Sequence, residues 1–181
     1  KGVKPGLAVI LVGDNPASKV YVAAKARACQ EVGIVSFEHH LSDQADPKEL
    51  KSLIHYLNQD PAVHGILVQL PLPQGFDSDK ALSFLSPEKD VDGLKLESMG
   101  ALWLGRPLVV PCTPAGIMAL LDFYQIPVAG KNAVVVGRSN IVGKPRAQLL
   151  PQADATVTVC HSRTPDLGHF TRSADIVVVA A

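Results

Sequence analysis

The chain has 181 residues, 47% of them hydrophobic, with 17 basic side chains against 17 acidic ones. That length allows one or two domains with a sizeable core, and the balanced charge excludes the electrostatic footprint of a nucleic-acid or anionic-membrane binder. Cys29, Cys112 and Cys160 are scattered with no CxxC pair, so neither a disulfide framework nor a zinc site is expected, and a reduced, cytoplasmic setting fits.

Leu7 to Val12 is a continuous apolar run closed by Gly13, the pattern of a strand buried on both faces. Asn15 then suits a helix N-cap and Pro16 the first helical position. That helix is predicted to reach about Val32 and to stop at Gly33. Val20, Ala24, Ala28 and Val32 form its expected apolar stripe, with Tyr21, Lys25 and Cys29 stacked on the adjacent one. Ile34 to Leu41 reads as a second strand. Asp46-Pro47-Lys48-Glu49 resembles a capping box, and Leu50, Leu53, Ile54 and Leu57 continue it with helical period.

Gly65 to Leu70 is a third strand, stopped by Pro71-Leu72-Pro73. A short helix over 78–85 follows, then a polar loop from Ser86 to Gly93 and a helical piece near 98–104. Thr113-Pro114 reads as a cap followed by proline, and Ile117, Leu120, Leu121 and Tyr124 give the next helix its expected buried face. The domain junction is placed along this helix, ending by Gly130. Ala133 to Val136 is a short valine-rich strand. Gly137 ends it, Arg138-Ser139-Asn140 turns, and Ile141-Val142-Gly143 opens a helix to about Leu150. Strands over 156–160 and from Ile176 onward flank a short helix over 165–172. Alternation of strand and helix throughout gives an α/β chain with mostly parallel sheets. Both ends read as cut, so the chain is expected to be part of a longer protein.

The Gly137 turn is a place for a phosphate, because a helix N-terminus presents backbone N–H groups and a favourable dipole. It lacks G-x-G-x-x-G, with Ser139 in place of the second glycine, and an ordinary βα turn fits the spacing too. An acid about 20 residues beyond such a turn favours NAD. Here Cys160-His161-Ser162-Arg163 has none, and a basic, hydroxyl-bearing tip with Arg138 suits the 2′-phosphate of NADP. Simple exposure of Arg138 and Arg163, and a structural role for His161, remain the alternatives. Lys25 is either a surface lysine lying over apolar residues or a partly desolvated one that moves protons near neutral pH. Gln69, near the C-terminal end of a buried strand, is either a structural amide or a ligand-side group. Asp90 and Asp92 flank Val91 as a solvated turn or a ligand site, and no metal is expected beside them.

Taken together, several stretches resemble the methylenetetrahydrofolate dehydrogenase/methenyltetrahydrofolate cyclohydrolase family. They are Asp14-Asn15-Pro16-Ala17-Ser18 with Tyr21 and Lys25, Gly65 to Pro73, Lys89 to Gly93, Pro111 to Pro114, Val135 to Pro145 and Cys160-His161-Ser162. The resemblance implies an α/β enzyme of two domains: a folate-binding catalytic domain over 1–115 and a Rossmann-like NADP-binding domain, incomplete at its C-terminus, over 116–181. It implies NADP-dependent oxidation of 5,10-methylenetetrahydrofolate and hydrolysis of the methenyl product to 10-formyltetrahydrofolate by a homodimer. By the same resemblance Lys25 is the proton-transfer residue, Tyr21 packs on the folate and Gln69 tunes the lysine. Val68, Gln69, Leu70 and Asp92 contact substrate, with Asp92 on the pterin. Gly137, Arg138, Ser139 and Ser162 contact NADP. The alternatives are a dehydrogenase without the hydrolase step and a non-catalytic nucleotide- or folate-binding fragment. Arg146 stands where an apolar residue is usual, and Pro151, in place of leucine, is expected to end or kink its helix. Lys95-Leu96 replaces a His-Pro pair.

Overall fold

A computed structural model describes residues 2–140 and 143–180, with the side chain of Arg146 excepted. The expected helix opening at Ile141-Val142 and the departure at Arg146 therefore lie outside the described residues. The chain forms two units, one up to Val91 and one from Asp92. This division falls upstream of the junction expected along the helix after Thr113.

The first unit runs β1 (Gly6–Val12), α1 (Pro16–Val32), β2 (Val35–Leu41), α2 (Pro47–Gln59), β3 (Gly65–Val68) and α3 (Ser78–Ser83), then a single 3-10 turn, Pro87–Lys89. Its three strands are parallel in the order β2-β1-β3. Ala8 to Val12 are at most 2% exposed, which is why this strand is apolar at every position and not at alternate ones. Val9, Leu11 and Leu67 pack with Val22 of α1. Burial of such a side chain contributes about 1.5–3 kcal/mol.

Local chemistry sets the helix ends. Asn15 Oδ1 accepts from the Ser18 N–H at 3.1 Å, and Gly33 closes α1 in the left-handed region at φ 80°. At α2, Asp46 and Glu49 form the expected capping box, and Leu50, Ile54 and Leu57 are buried. The stripe expected on α1 is corrected. Val20 and Val32 are 66% and 71% exposed, and the buried residues are Ser18, Val22 and Cys29, with Lys25 and Ala26 half-buried between them. Alanine and valine occur all round this helix, so apolar spacing does not single out one face.

The second unit runs α4 (Leu96–Trp103), α5 (Cys112–Phe123), β4 (Asn132–Val136), α6 (Gly143–Gln152), β5 (Thr156–Cys160), α7 (Leu167–Arg172) and β6 (Ile176–Val179). Its strands are also parallel, in the order β5-β4-β6. Ala133, Val135, Ile176 and Val178 form one buried face with Leu150 of α6, covered by Ile117, Met118 and Leu121 of α5. The helices before β4 belong with this unit. Gln148 and Gln152 of α6 donate to the carbonyls of Trp103 and Leu102 at the end of α4, at 3.0 and 2.6 Å.

Four expectations change here. Thr113 is not the cap of α5, which starts at Cys112 after Pro111. Pro114 still lies in the first turn, where a missing N–H costs nothing. The inward face of α5 is the buried Pro114 with the half-buried Ile117, Met118 and Leu121, at the i, i+3, i+4, i+7 spacing. Leu120 and Tyr124 are 56% and 67% exposed and border an open apolar groove with Val177 and Val179. On β6 only Ile176 and Val178 are buried, so the strand alternates and is not covered on both faces among the described residues. Helix α6 is not ended at Pro151: it passes through the proline to Gln152, and the Ala153 N–H still donates to the Leu149 carbonyl at 3.2 Å.

Candidate functional site

Strand alternation builds the first site. Leu67 faces α1, so Gln69, two residues on, leaves the strand on the same side. Lys25 lies three residues after Val22 on the helix that covers this face. The two meet: Lys25 Nζ donates to Gln69 Oε1 at 2.8 Å. The amide cannot be reversed without loss, because Gln69 Nε2 donates to the Leu70 carbonyl at 2.7 Å; the backbone N–H of Gln69 donates to the Ile10 carbonyl at 2.9 Å and fixes the residue to β1. Tyr21 lies one turn earlier on α1, with its ring centroid 5.9 Å from Lys25 Nζ and its side chain largely exposed. Lysine, tyrosine and glutamine are thus assembled. An amide oxygen accepts from an ammonium or from an amine, so it can hold Nζ through loss and gain of a proton without adding a counter-charge.

Val68 is 2% exposed, in the core and in register with Ile10 of β1, so the structure does not present its side chain to a ligand. Leu70 is half-buried and its carbonyl is already taken by Gln69. At the start of α1, the exposed Asp14 carboxyl is held below its ordinary range by a hydrogen bond from Lys19, then by the charges of Lys19 and His40. Asp90 does not sit in a solvated turn: it is 2% exposed and bridges Ile66 of β3. Asp92 is half-buried. Among the described residues, no three His, Cys, Asp or Glu side chains are grouped to hold a metal ion.

The second site is an edge of the β5-β4-β6 sheet. Val136 and Cys160 are register partners on neighbouring parallel strands, so the segments after them leave the sheet at the same edge. Gly137, Arg138 and Ser139 are thereby brought beside His161, Ser162 and Arg163. Gly137 has φ 125°, a region that favours glycine. A Cβ on it would lie 2.4 Å from the Ala180 carbonyl oxygen, and one on Gly143 would lie 2.5 Å from that of Gly137. Ser139 Oγ accepts from the Gly143 N–H at 3.2 Å, which satisfies one of the free N–H groups at the start of α6. His161 is fixed by its neighbours: its N–H donates to Thr164 Oγ1 and its Nδ1 accepts from the Arg163 N–H. Arg138, Ser162 and Arg163 are exposed at this edge, where cationic and hydroxyl donors suit a phosphate. The close approach of Gly143 to the turn is not visible in residue spacing. The one hint is a small residue at a helix start.

Comparison with known proteins matches residues 1–92 to the tetrahydrofolate dehydrogenase/cyclohydrolase catalytic domain, and residues 111–181 to the NAD(P)-binding domain of the same family. The Bifunctional protein FolD of Paraburkholderia phytofirmans is 57% identical over 181 residues, covering 99% of the chain and 63% of that relative. The crystal structure of the Campylobacter jejuni bifunctional enzyme FolD superposes with a TM-score of 0.96 at 52% identity, over 99% of this chain and 64% of that one. The Trypanosoma brucei FolD, complexed with NADP cofactor and inhibitor, gives 0.96 at 41% identity, over 99% and 62%. The chain therefore spans somewhat less than two thirds of the length of these relatives. Each of the two α/β units carries the matching half of a single family pattern, in the same order along the chain, and the chain belongs to the tetrahydrofolate dehydrogenase/cyclohydrolase family.

Proposed function

We propose that the full-length protein oxidises 5,10-methylenetetrahydrofolate with NADP and hydrolyses the methenyl product to 10-formyltetrahydrofolate. The observation that carries this reading is the 2.8 Å contact between Lys25 Nζ and the oriented amide of Gln69, together with the family match over both units.

The methenyl group is cationic, which disfavours a second positive charge beside it. Lys25 as the free amine takes a proton from the attacking water as the new C–O bond forms. It then returns a proton to the ring nitrogen as the C–N bond breaks, while the hydroxyl proton of the adduct is released to solvent as the C=O bond forms, which leaves the formyl group on the other nitrogen. Gln69 keeps Nζ in place through both transfers. Tyr21 stacks on the folate, and the Asp92 carboxylate accepts from the exocyclic amine and ring N–H of the pterin.

The residues at the second sheet edge fit NADP. Gly137 and Gly143 leave a backbone approach that a Cβ would fill. No acid occupies the tip from Cys160 to Arg163, and Arg138, Ser139 and Ser162 supply donors. When bound, NADP supplies the hydride acceptor. The family resemblance supports a homodimer, and three free cysteines support a cytoplasmic setting. The test is a pair of assays on the full-length protein: NADPH formation from the methylene substrate, and loss of methenyltetrahydrofolate without cofactor. Turnover in both is expected. Turnover in the first alone would make it a dehydrogenase only, and turnover in neither would overturn the reading.

A further inference from the structure

The loop that leads into Asp92 is fastened at successive residues, and its main fastener is a cation that the proposed chemistry does not use. Lys89 Nζ donates to the carbonyls of Leu57 and Asp60, at 2.9 and 2.8 Å. These belong to the C-terminal end of α2, where carbonyls lack helical partners and the dipole favours a cation. The last turn of α2 has no basic residue of its own. Lys89 supplies that charge from a segment about 30 residues further along the chain.

The same helix end holds the start of the loop. Asn58 Nδ2 donates to the Phe84 carbonyl at 2.7 Å, and its Oδ1 accepts from the Ser86 N–H at 2.9 Å. Past Lys89, Asp90 is buried and bridges Ile66. Val91 sits directly on Gly65, where an added Cβ would lie 2.3 Å from Val91 Cγ1. Asp92 follows immediately. The next residue, Gly93, has φ +64° and a would-be Cβ 2.9 Å from the Val109 carbonyl oxygen. Asp92 thus directly follows a residue seated on β3.

We propose that Lys89 is a positioning residue for Asp92: by clamping the C-terminal end of α2 it fixes the backbone from which that carboxylate reaches the pterin. This rests on the reading of Asp92 as the pterin acceptor. A carboxylate that must meet two donors loses affinity when its origin shifts by a fraction of an ångström. Lys89 itself touches neither substrate nor cofactor in this scheme.

The experiment compares full-length wild type, Lys89→Met and Lys89→Arg in the dehydrogenase assay, with hydrogen exchange of the amides over 86–93. In Lys89→Met, KM for methylenetetrahydrofolate is expected to rise about tenfold, with kcat within about twofold and KM for NADP unchanged. Exchange over the loop rises in the same variant. Lys89→Arg, which keeps the charge and the donors, recovers most of the loss. If Lys89→Met does not fold, Asn58→Ser removes the other anchor and is expected to show the same KM split. A wild-type KM in a folded Lys89→Met, or a fall in kcat alone, overturns the positioning role while wild-type turnover leaves the proposed function standing. A wild type that turns over no folate overturns both.

Discussion

Replacing Gln69 with glutamate probes the lysine without changing the size of its partner. The substitution puts a carboxylate where a neutral amide now accepts from Lys25 Nζ at 2.8 Å. At that distance even full aqueous screening leaves about 1.5 kcal/mol of attraction, equivalent to about one pH unit. Lys25 and Gln69 are half-buried, which reduces screening and takes the expected effect towards about two units. The added charge holds the proton on Nζ, so the amine form that assists water becomes scarce. The pH–rate profile of the cyclohydrolase step is expected to move about 1–2 units alkaline, with a rate about 10- to 100-fold lower on its acidic limb. Hydride transfer needs no base at this position, so the dehydrogenase rate stays within a few-fold. Gln69→Met is the control: it removes the acceptor and lowers the hydrolysis rate, but adds no charge and leaves the profile where it was. Both variants are measured by methenyltetrahydrofolate hydrolysis across pH. A Gln69→Glu profile that superimposes on wild type would refute the reasoning, because the proton on Lys25 would then have no bearing on the rate.

Two further outcomes concern the nucleotide edge. Arg138→Ala is expected to weaken NADP binding about tenfold, the lower end for a charge-assisted hydrogen bond at an exposed site, and to leave NAD binding unchanged; equal losses for both nucleotides in calorimetric titration would remove Arg138 from the 2′-phosphate. Gly143→Ala places a Cβ 2.5 Å from the Gly137 oxygen and 2.8 Å from the Arg138 nitrogen, and backbone must move to admit it. A loss of about 1–3 kcal/mol in urea unfolding is expected, with weaker NADP binding, whereas an unchanged midpoint and affinity would show that the contact yields freely.

Much of this architecture is readable from residue order because its signals are local. A capping box at Asp46 and Glu49, a cap and proline at Asn15 and Pro16, and a left-handed glycine at Gly33 each act within one turn. The doubly buried run at Ala8 to Val12 is equally plain. Long-range packing is less legible. Valine and alanine surround α1, so Val20 and Val32 look as apolar as Val22, and only the position of β1 and β3 decides which is buried. Leu120 and Tyr124 of α5 follow the same logic. At the site, Lys25 and Gln69 are 44 residues apart. Their pairing follows from which face of β3 meets α1, and periodicity alone leaves Lys25 as a plain surface residue. The resemblance of the surrounding motifs is what singles it out beforehand. Asp90 is the opposite case: its polar setting from Ser86 to Gly93 suggests a solvated turn, but the bridge to Ile66 buries it.

The central claim is that Lys25 carries the proton in hydrolysis. Its most direct test is single-substrate hydrolysis of methenyltetrahydrofolate by full-length Lys25→Met, with NADP affinity measured on the same sample. The account predicts loss of hydrolysis with NADP binding intact, since the lysine lies in the first unit and the residues proposed to hold NADP lie in the second. Normal hydrolysis by a folded, NADP-binding Lys25→Met would contradict it.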